Sequence, residues 1–181
     1  TFEKDIEIAN GYPGLPFKTI DACYVDTISY PTPQLYIFSG TKYARWDLKE
    51  NKFKGVNDIA RGYPGVPFLS FDACYIDYWS YSSPQVYIFS GKKYARFDTK
   101  TGKCEGINDV SKGFPSVPYQ VFDDILLDNW TYPNPKIYIF NGIDYYMYDL
   151  KTNTRERIQS IGLFGEGEEA HFWPAIFYKF Q

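Results

Sequence analysis

Asp21-Ala-Cys-Tyr-Val-Asp26 returns as Asp72-Ala-Cys-Tyr-Ile-Asp77, and again as Asp123-Asp-Ile-Leu-Leu-Asp128, each time 51 residues on. Two further signals keep the same register. One is Tyr36-Ile-Phe-Ser-Gly40, Tyr87-Ile-Phe-Ser-Gly91 and Tyr138-Ile-Phe-Asn-Gly142; the other is Tyr43-Ala-Arg-Trp-Asp47, Tyr94-Ala-Arg-Phe-Asp98 and Tyr145-Tyr-Met-Tyr-Asp149. A period that never drifts means one supersecondary unit stacked several times. Residues 17–67 and 68–118 are identical at 29 of 51 positions, which points to duplication.

Within a unit, period and punctuation predict four short strands. The first, Asp21–Asp26, is mainly apolar. The second, Gln34–Phe38, places Tyr36 and Phe38 on one face and Leu35 and Ile37 on the other. Apolar residues on both faces mean that the strand is covered on both sides. Ser39-Gly-Thr turns the chain into Lys42–Leu48, and a fourth strand falls near Lys52–Val56. Asn57-Asp58 is expected to cap a helical turn ending at Gly62, with Pro64 stopping it. Four antiparallel strands and a helical turn make a propeller blade. The expectation is a single all-β domain over 1–181, with repeats at about 17–67, 68–118 and 119–169 and partial repeats at 1–16 and 170–181.

Composition agrees. The chain has 181 residues, 44% of them hydrophobic and 20% aromatic, with 18 Tyr and 15 Phe. Recurrent aromatics suit stacked sheets. A net charge of −3 gives no field for nucleic acid or an anionic membrane, and no apolar run reaches the length of a membrane span. The chain starts at Thr1, as a processed protein or a piece of a longer one would. Three cysteines are an odd count; Cys23 and Cys74 share a phase and read as small buried core residues.

The rival propeller repeats fail. A kelch repeat needs a Gly-Gly doublet, which is missing, and the pair Trp46-Asp47 becomes Phe97-Asp98 and Tyr148-Asp149, so the rule is aromatic-Asp rather than Trp-Asp. The ordered set of Asp-Ala, Tyr-x-Phe-x-Gly, Tyr-x-Arg-aromatic-Asp and Gly-Tyr-Pro resembles the hemopexin-like repeat over nearly the whole chain. That resemblance implies a hemopexin-like β-propeller: four blades around a tunnel, with the Asp-Ala strands innermost. Here three blades are complete. The third unit departs most, with Asp124, Ile125, Tyr146 and Met147 where Ala, Cys, Ala and Arg stood, and Phe164-Gly165-Glu166 in place of Gly-Tyr-Pro.

Split remnants of a fourth blade are expected at the two ends. Trp173-Pro-Ala-Ile-Phe-Tyr178 lies 51 residues after Phe122–Leu127 and has the phase of an innermost strand, while residues 1–9 have that of an outermost one. Four units need 204 residues, 23 more than the chain has, and the missing phases hold the two middle strands. Three outcomes satisfy this: a contracted ring, a homodimer lending strands to the fourth blade, or a cut from a longer protein.

The single histidine, His171, and the lack of Cys-x-x-Cys, His-Glu-x-x-His and phosphate-loop motifs argue against an enzyme. Asp21, Asp72 and Asp123 are the sharper candidates, because strands lining one axis bring equivalent oxygens together, as a hard cation requires. The resemblance implies a tunnel ion, Ca²⁺ or Na⁺, on main-chain oxygens at Asp21, Asp72, Asp123 and Pro174. It implies a second, deeper ion at Cys23, Cys74, Ile125 and Ile176, and a halide as a further tunnel occupant. The bland alternative is that these Asp side chains cap turns or pair with Arg or Lys. Asp26, Asp77 and Asp128, and Arg45 and Arg96 with Asp47 and Asp98, read as ion pairs that fix blade register. Tyr43, Tyr94 and Tyr145 read as packing between blades.

The resemblance gives three functions. The leading one is a non-enzymatic binding module for a small molecule or protein, comparable to secreted or stored seed albumins. The second is a substrate-recognition domain released from a larger protein such as a metalloproteinase. The third, a haem carrier, is disfavoured: haem-binding members use two axial histidines, and this chain offers only His171.

Overall fold

The computed structural model describes residues 7–160. The first blade runs β1 (Ala22–Asp26), β2 (Gln34–Ser39), β3 (Lys42–Asp47) and β4 (Lys52–Asp58), hydrogen-bonded in that order. The second repeats it as β5 (Ala73–Asp77), β6 (Gln85–Ser90), β7 (Lys93–Asp98) and β8 (Lys103–Asp109). The third has β9 (Asp124–Asp128), β10 (Lys136–Asn141), β11 (Asp144–Asp149) and β12 (Thr154–Ser160). Single helical turns stand before each complete blade or between blades: α1 (Ile8–Gly11), α2 (Ile59–Gly62) and α3 (Val110–Gly113). All pairings are antiparallel, and the register repeats from blade to blade, Tyr24 opposite Tyr36 becoming Tyr75 opposite Tyr87.

Turn chemistry sets these lengths. Gly40, Gly91 and Gly142 take φ of +55°, +56° and +59° at the β2–β3 type of hairpin, a region that side chains resist. At the next turn Asn51 and Asn153 adopt φ of 51° and 59°, where Asn is better tolerated than most residues.

The two faces of each blade bury different residues. Tyr24 and Phe38 of blade one pack with Cys74, Ile76, Val86 and Ile88 of blade two. Ala73, Tyr75 and Phe89, on the opposite face of blade two, pack with Ile125, Ile137 and Ile139 of blade three. Every residue of β5 is buried, as expected of a strand covered on both sides. Blade one turns Leu35 and Ile37 toward Ile8, Tyr12 and Leu15 of the preceding segment. The innermost strands stand side by side, β1 against β5 and β5 against β9, while β9 makes no comparable contact with β1. Among the described residues the three blades therefore do not contract into a closed ring.

Two local expectations need correction. Asp58 caps nothing: its side chain makes no bond to α2, and it pairs instead with Lys42 at 2.9 Å, because β4 runs on through Asn57 and Asp58. Ile8 and Ala9 lie in α1, so the outer-strand reading of residues 1–9 fails at that end. The remnant at 170–181, the Phe164–Glu166 departure and the remaining N-terminal residues lie outside the described residues.

Candidate functional site

The axial end of the blades is built three times over. Asp21, Asp72 and Asp123 each stand at the lead-in to an innermost strand, one residue ahead of it. Their amides donate to Phe38, Phe89 and Phe140 carbonyls at 2.9 Å each. Their Oδ2 atoms accept from the Gly40, Gly91 and Gly142 amides, each at 2.6 Å. The carboxylates are thus committed to locking the hairpin turns, which is the turn-capping role. The main-chain carbonyls of the same residues accept no backbone hydrogen bond among the described residues. Three equivalent oxygens are left at the starts of three neighbouring strands.

Two residues along, Cys23, Cys74 and Ile125 sit in β1, β5 and β9. Side chains of this phase turn toward the preceding blade, so Cys74 and Ile125 are buried. Cys23 is exposed, which corrects its reading as a core residue: blade one has no described blade on that side. Side chains one residue earlier turn toward the following blade, burying Ala22 and Ala73. Asp124 holds that phase in blade three. Burial raises the Cys74 thiol. Cys23 and Asp124 are exposed, yet desolvation by the protein around them raises the Cys23 thiol to about 11, with the charge of Asp124 adding to it, and raises Asp124 as well. Both thiols are protonated at neutral pH, neither nucleophilic nor ready to bind a soft metal. Among the described residues no group of three or more His, Cys, Asp or Glu could hold a metal ion by its side chains.

The expected Arg–Asp pairs are not made. The Arg45 and Arg96 guanidinium groups lie over the rings of Tyr30 and Tyr81 at 4.6 and 4.4 Å. Asp47 and Asp98 look the other way, each accepting two turn amides on Oδ1 and a Gln side chain on Oδ2 at 2.8 and 2.7 Å. The reason is the pleat: Arg and Asp share a strand face, but Asp is at the strand end, where the turn's unpaired amides are nearer donors. Blade three keeps this arrangement with Lys136, whose Nζ is 2.9 Å from Asp149. Asp26, Asp77 and Asp128 also accept two turn amides each rather than pairing with cations. Tyr43 and Tyr94 do pack between elements, lying so close over Gly62 and Gly113 that a Cβ there would overlap the ring.

Pro174, Ile176 and His171, expected for the tunnel ions and for haem, lie outside the described residues. Sequence reasoning missed the place where blades two and three meet. The signal was present as a Tyr63-to-Phe114 change at one phase of the repeat.

Stacked four-stranded blades with their first strands innermost define a β-propeller module. No family model matches the chain. Among known proteins, matrix metalloproteinase-21 of Mus musculus is 25% identical over 190 residues, covering 93% of this chain and 31% of its own length. The chain thus spans about a third of that relative. The hemopexin-fold protein CP4 from cow pea superposes with a TM-score of 0.70 at 23% identity, over 85% of this chain and 75% of that one. A plant lectin with two metal-binding sites from Cicer arietinum gives 0.60 at 26% identity, over 78% of this chain and 65% of that one. The repeats are hemopexin-like, and the fold is that of a hemopexin-type propeller.

Proposed function

We propose that the chain is a non-enzymatic binding module of hemopexin type, organised around a hard cation. The ion would be held by the main-chain oxygens of Asp21, Asp72 and Asp123, with Pro174 as the fourth contributor. One observation carries this reading: at three equivalent strand starts the carboxylate and amide are already bonded, and the carbonyl is not. Neutral carbonyl oxygens suit Ca²⁺ or Na⁺, with water filling the remaining positions. A bound ion supplies cross-linking between blades rather than chemistry. A second ion, or a halide, is proposed deeper, at Cys23, Cys74, Ile125 and Ile176. The lectin neighbour's metal-binding sites support an ion in this fold. Burial moves the tyrosines and cysteines away from neutrality, which supports binding rather than acid–base catalysis.

Metal analysis after extensive dialysis, followed by melting with added Ca²⁺ or Na⁺, tests the ion. The expected result is a rise in melting temperature with ion concentration, since binding to the folded state alone stabilises it by about 2.7 kcal/mol at 100 times Kd. Asp72→Asn should leave that rise nearly intact, because carbonyls bind. No retained ion and no shift with either cation would remove the proposal.

A second reading is a recognition domain of a larger protein. The match to matrix metalloproteinase-21, confined to 31% of its length, favours it. A secreted location suits this reading, and a secreted or storage one suits the first.

A further inference from the structure

The internal duplication provides its own control. Between blades one and two, the Tyr24 and Tyr63 hydroxyls meet at 2.8 Å in a buried contact. One period on, the same places hold Tyr75 and Phe114, and Phe114 has no hydroxyl to offer. Tyr78 reaches from blade two to blade one, accepting from the Thr27 amide at 2.9 Å and donating to the Val25 carbonyl at 3.1 Å. Asn129, at the matching phase of blade three, is too short to do so. A cleft of about 250 Å³ lies between blades two and three, with Tyr75, Asp77, Ser80, Tyr87, Phe114 and Asn153 among its walls.

Two groups lining it each present an oxygen with no hydrogen-bond partner among the described residues. Tyr75 is 2% exposed, and its hydroxyl makes no hydrogen bond to a described residue. Asp77 is also 2% exposed. Its Oδ1 accepts the Trp79 and Ser80 amides at 2.8 and 3.0 Å, while Oδ2 bonds no described residue. Neither atom is among the buried atoms left without a partner, so both open onto the cleft, where water or a ligand meets them. A third group is prepared for the same task. Arg96 donates to the Tyr81 hydroxyl at 2.6 Å, and Tyr81 and Tyr87 hydroxyls are 3.0 Å apart. Either hydroxyl can donate to the other, and Tyr87 keeps hydrogen-bonding capacity for the cleft.

These groups select the ligand. Tyr75 stacks on Tyr87 at 4.8 Å and 9°, and Tyr87 on Tyr94 at 5.7 Å and 20°, so the ring faces are occupied by one another. The cleft therefore meets a ligand with hydroxyls rather than π-faces, and the Arg96 charge one ring away offsets that of the Asp77 carboxylate, which suits a neutral ligand. The volume equals about eight waters, below the range of drug-sized pockets. We infer that this cleft binds a small neutral polyhydroxylated molecule of monosaccharide size. One of its hydroxyls donates to Asp77 Oδ2, and its neighbours bond Tyr75 and Tyr87. This deepens the binding-module reading and rests on it only in giving the module a small-molecule ligand; the axial ion is independent of it.

The test is titration of the intact protein with glucose, galactose, mannose and arabinose, followed by NMR shifts or calorimetry, with putrescine as the cationic control. At least one sugar should bind with Kd of millimolar order, and shifts should centre on Tyr75. Tyr75→Phe should weaken binding about tenfold, the loss of one hydrogen bond. Phe114→Tyr should abolish it by building the Tyr24–Tyr63 contact into the cleft. That variant copies an arrangement the molecule already folds around, and circular dichroism checks it. No sugar binding, binding unchanged in Phe114→Tyr, or binding of putrescine alone would each overturn the inference. Metal content measured on the same samples separates its failure from failure of the axial site.

Discussion

The interface between blades one and two and the one between blades two and three use the same apolar rings in the same places. Phe38 meets Phe71 at 4.7 Å, and Phe89 meets Phe122 at 5.2 Å. Tyr63 meets Phe97 at 5.0 Å, and Phe114 meets Tyr148 at 5.3 Å. Only the polar content differs: a hydroxyl pair and a crossing tyrosine in the first, a cleft in the second. The apolar rings set the spacing of the blades, and the polar positions between them are free to acquire separate tasks.

The strongest way to break the comparison is to remove the ring that wedges each pair of blades. Phe71 and Phe122 are each 1% exposed. Phe71→Ala and Phe122→Ala should each cost about 3–5 kcal/mol in urea unfolding. Ile20, at the same phase but 40% exposed because no described blade precedes it, should cost within about 0.5 kcal/mol as Ile20→Ala. A Phe122→Ala cost far below that of Phe71→Ala would show that the two interfaces are not mechanical equals. Next come Gly62→Ala and Gly113→Ala, each pressing a methyl into the ring of Tyr43 or Tyr94. About 1–3 kcal/mol is expected from each, with loss of the near-ultraviolet tyrosine signal.

Acid should act on all blades alike. Burial pushes the Asp98 carboxyl up, but hydrogen bonds from Ser83, the Thr101 amide, Gln85 and the Lys100 amide outweigh it and hold it at about 2, against an ordinary 3.8. Asp47 is held down chiefly by the Glu50 amide and Thr32; in Asp149, the Thr152 amide and Lys136 overcome burial. A depressed folded pKa contributes stability that is fully present above the unfolded value and lost as pH falls through the folded one. Melting temperature should therefore fall from about pH 4 to pH 2, with Asp98 accounting for at most about 2 kcal/mol. Asp98→Asn should flatten that fall. An unchanged slope in the variant would put the acid sensitivity elsewhere.

Much of this was legible in the sequence because a 51-residue period states its own register. The strands, the Gly40-type hairpins and the opposite faces of Tyr36 and Ile37 follow from alternation and turn residues alone. What misled was distance along the strand. Arg45 and Asp47 share a face, yet the nearest partner of an Asp at a strand end is the turn's own amides, and Arg45 finds a ring instead. Cys23 has the same neighbours in sequence as Cys74, and its exposure depends on what stands beside the blade, which no local pattern encodes. The cleft was invisible for a related reason: Tyr63 and Phe114 are ordinary as single residues and informative only as a difference between facing repeats.

The smallest effect is also the sharpest, because it exchanges one oxygen between the two interfaces. Tyr63→Phe removes the partner of a buried hydroxyl on Tyr24, which is 7% exposed and holds Tyr63 at 2.8 Å. A lost bond with one polar group stranded costs about 1–2 kcal/mol. Phe114→Tyr does the reverse. It gives Tyr75 a partner in space already present, and the expected gain is about 1 kcal/mol, less whatever ordered water the new hydroxyl displaces. Made together, the two substitutions should nearly cancel in stability, since the sites share no residue and should add. Sugar binding should be lost in Phe114→Tyr and kept in Tyr63→Phe, whose cleft between blades two and three is untouched. If Phe114→Tyr destabilises the protein instead, the cleft is narrower than the rings around it indicate, and the two interfaces differ in backbone as well as in chemistry.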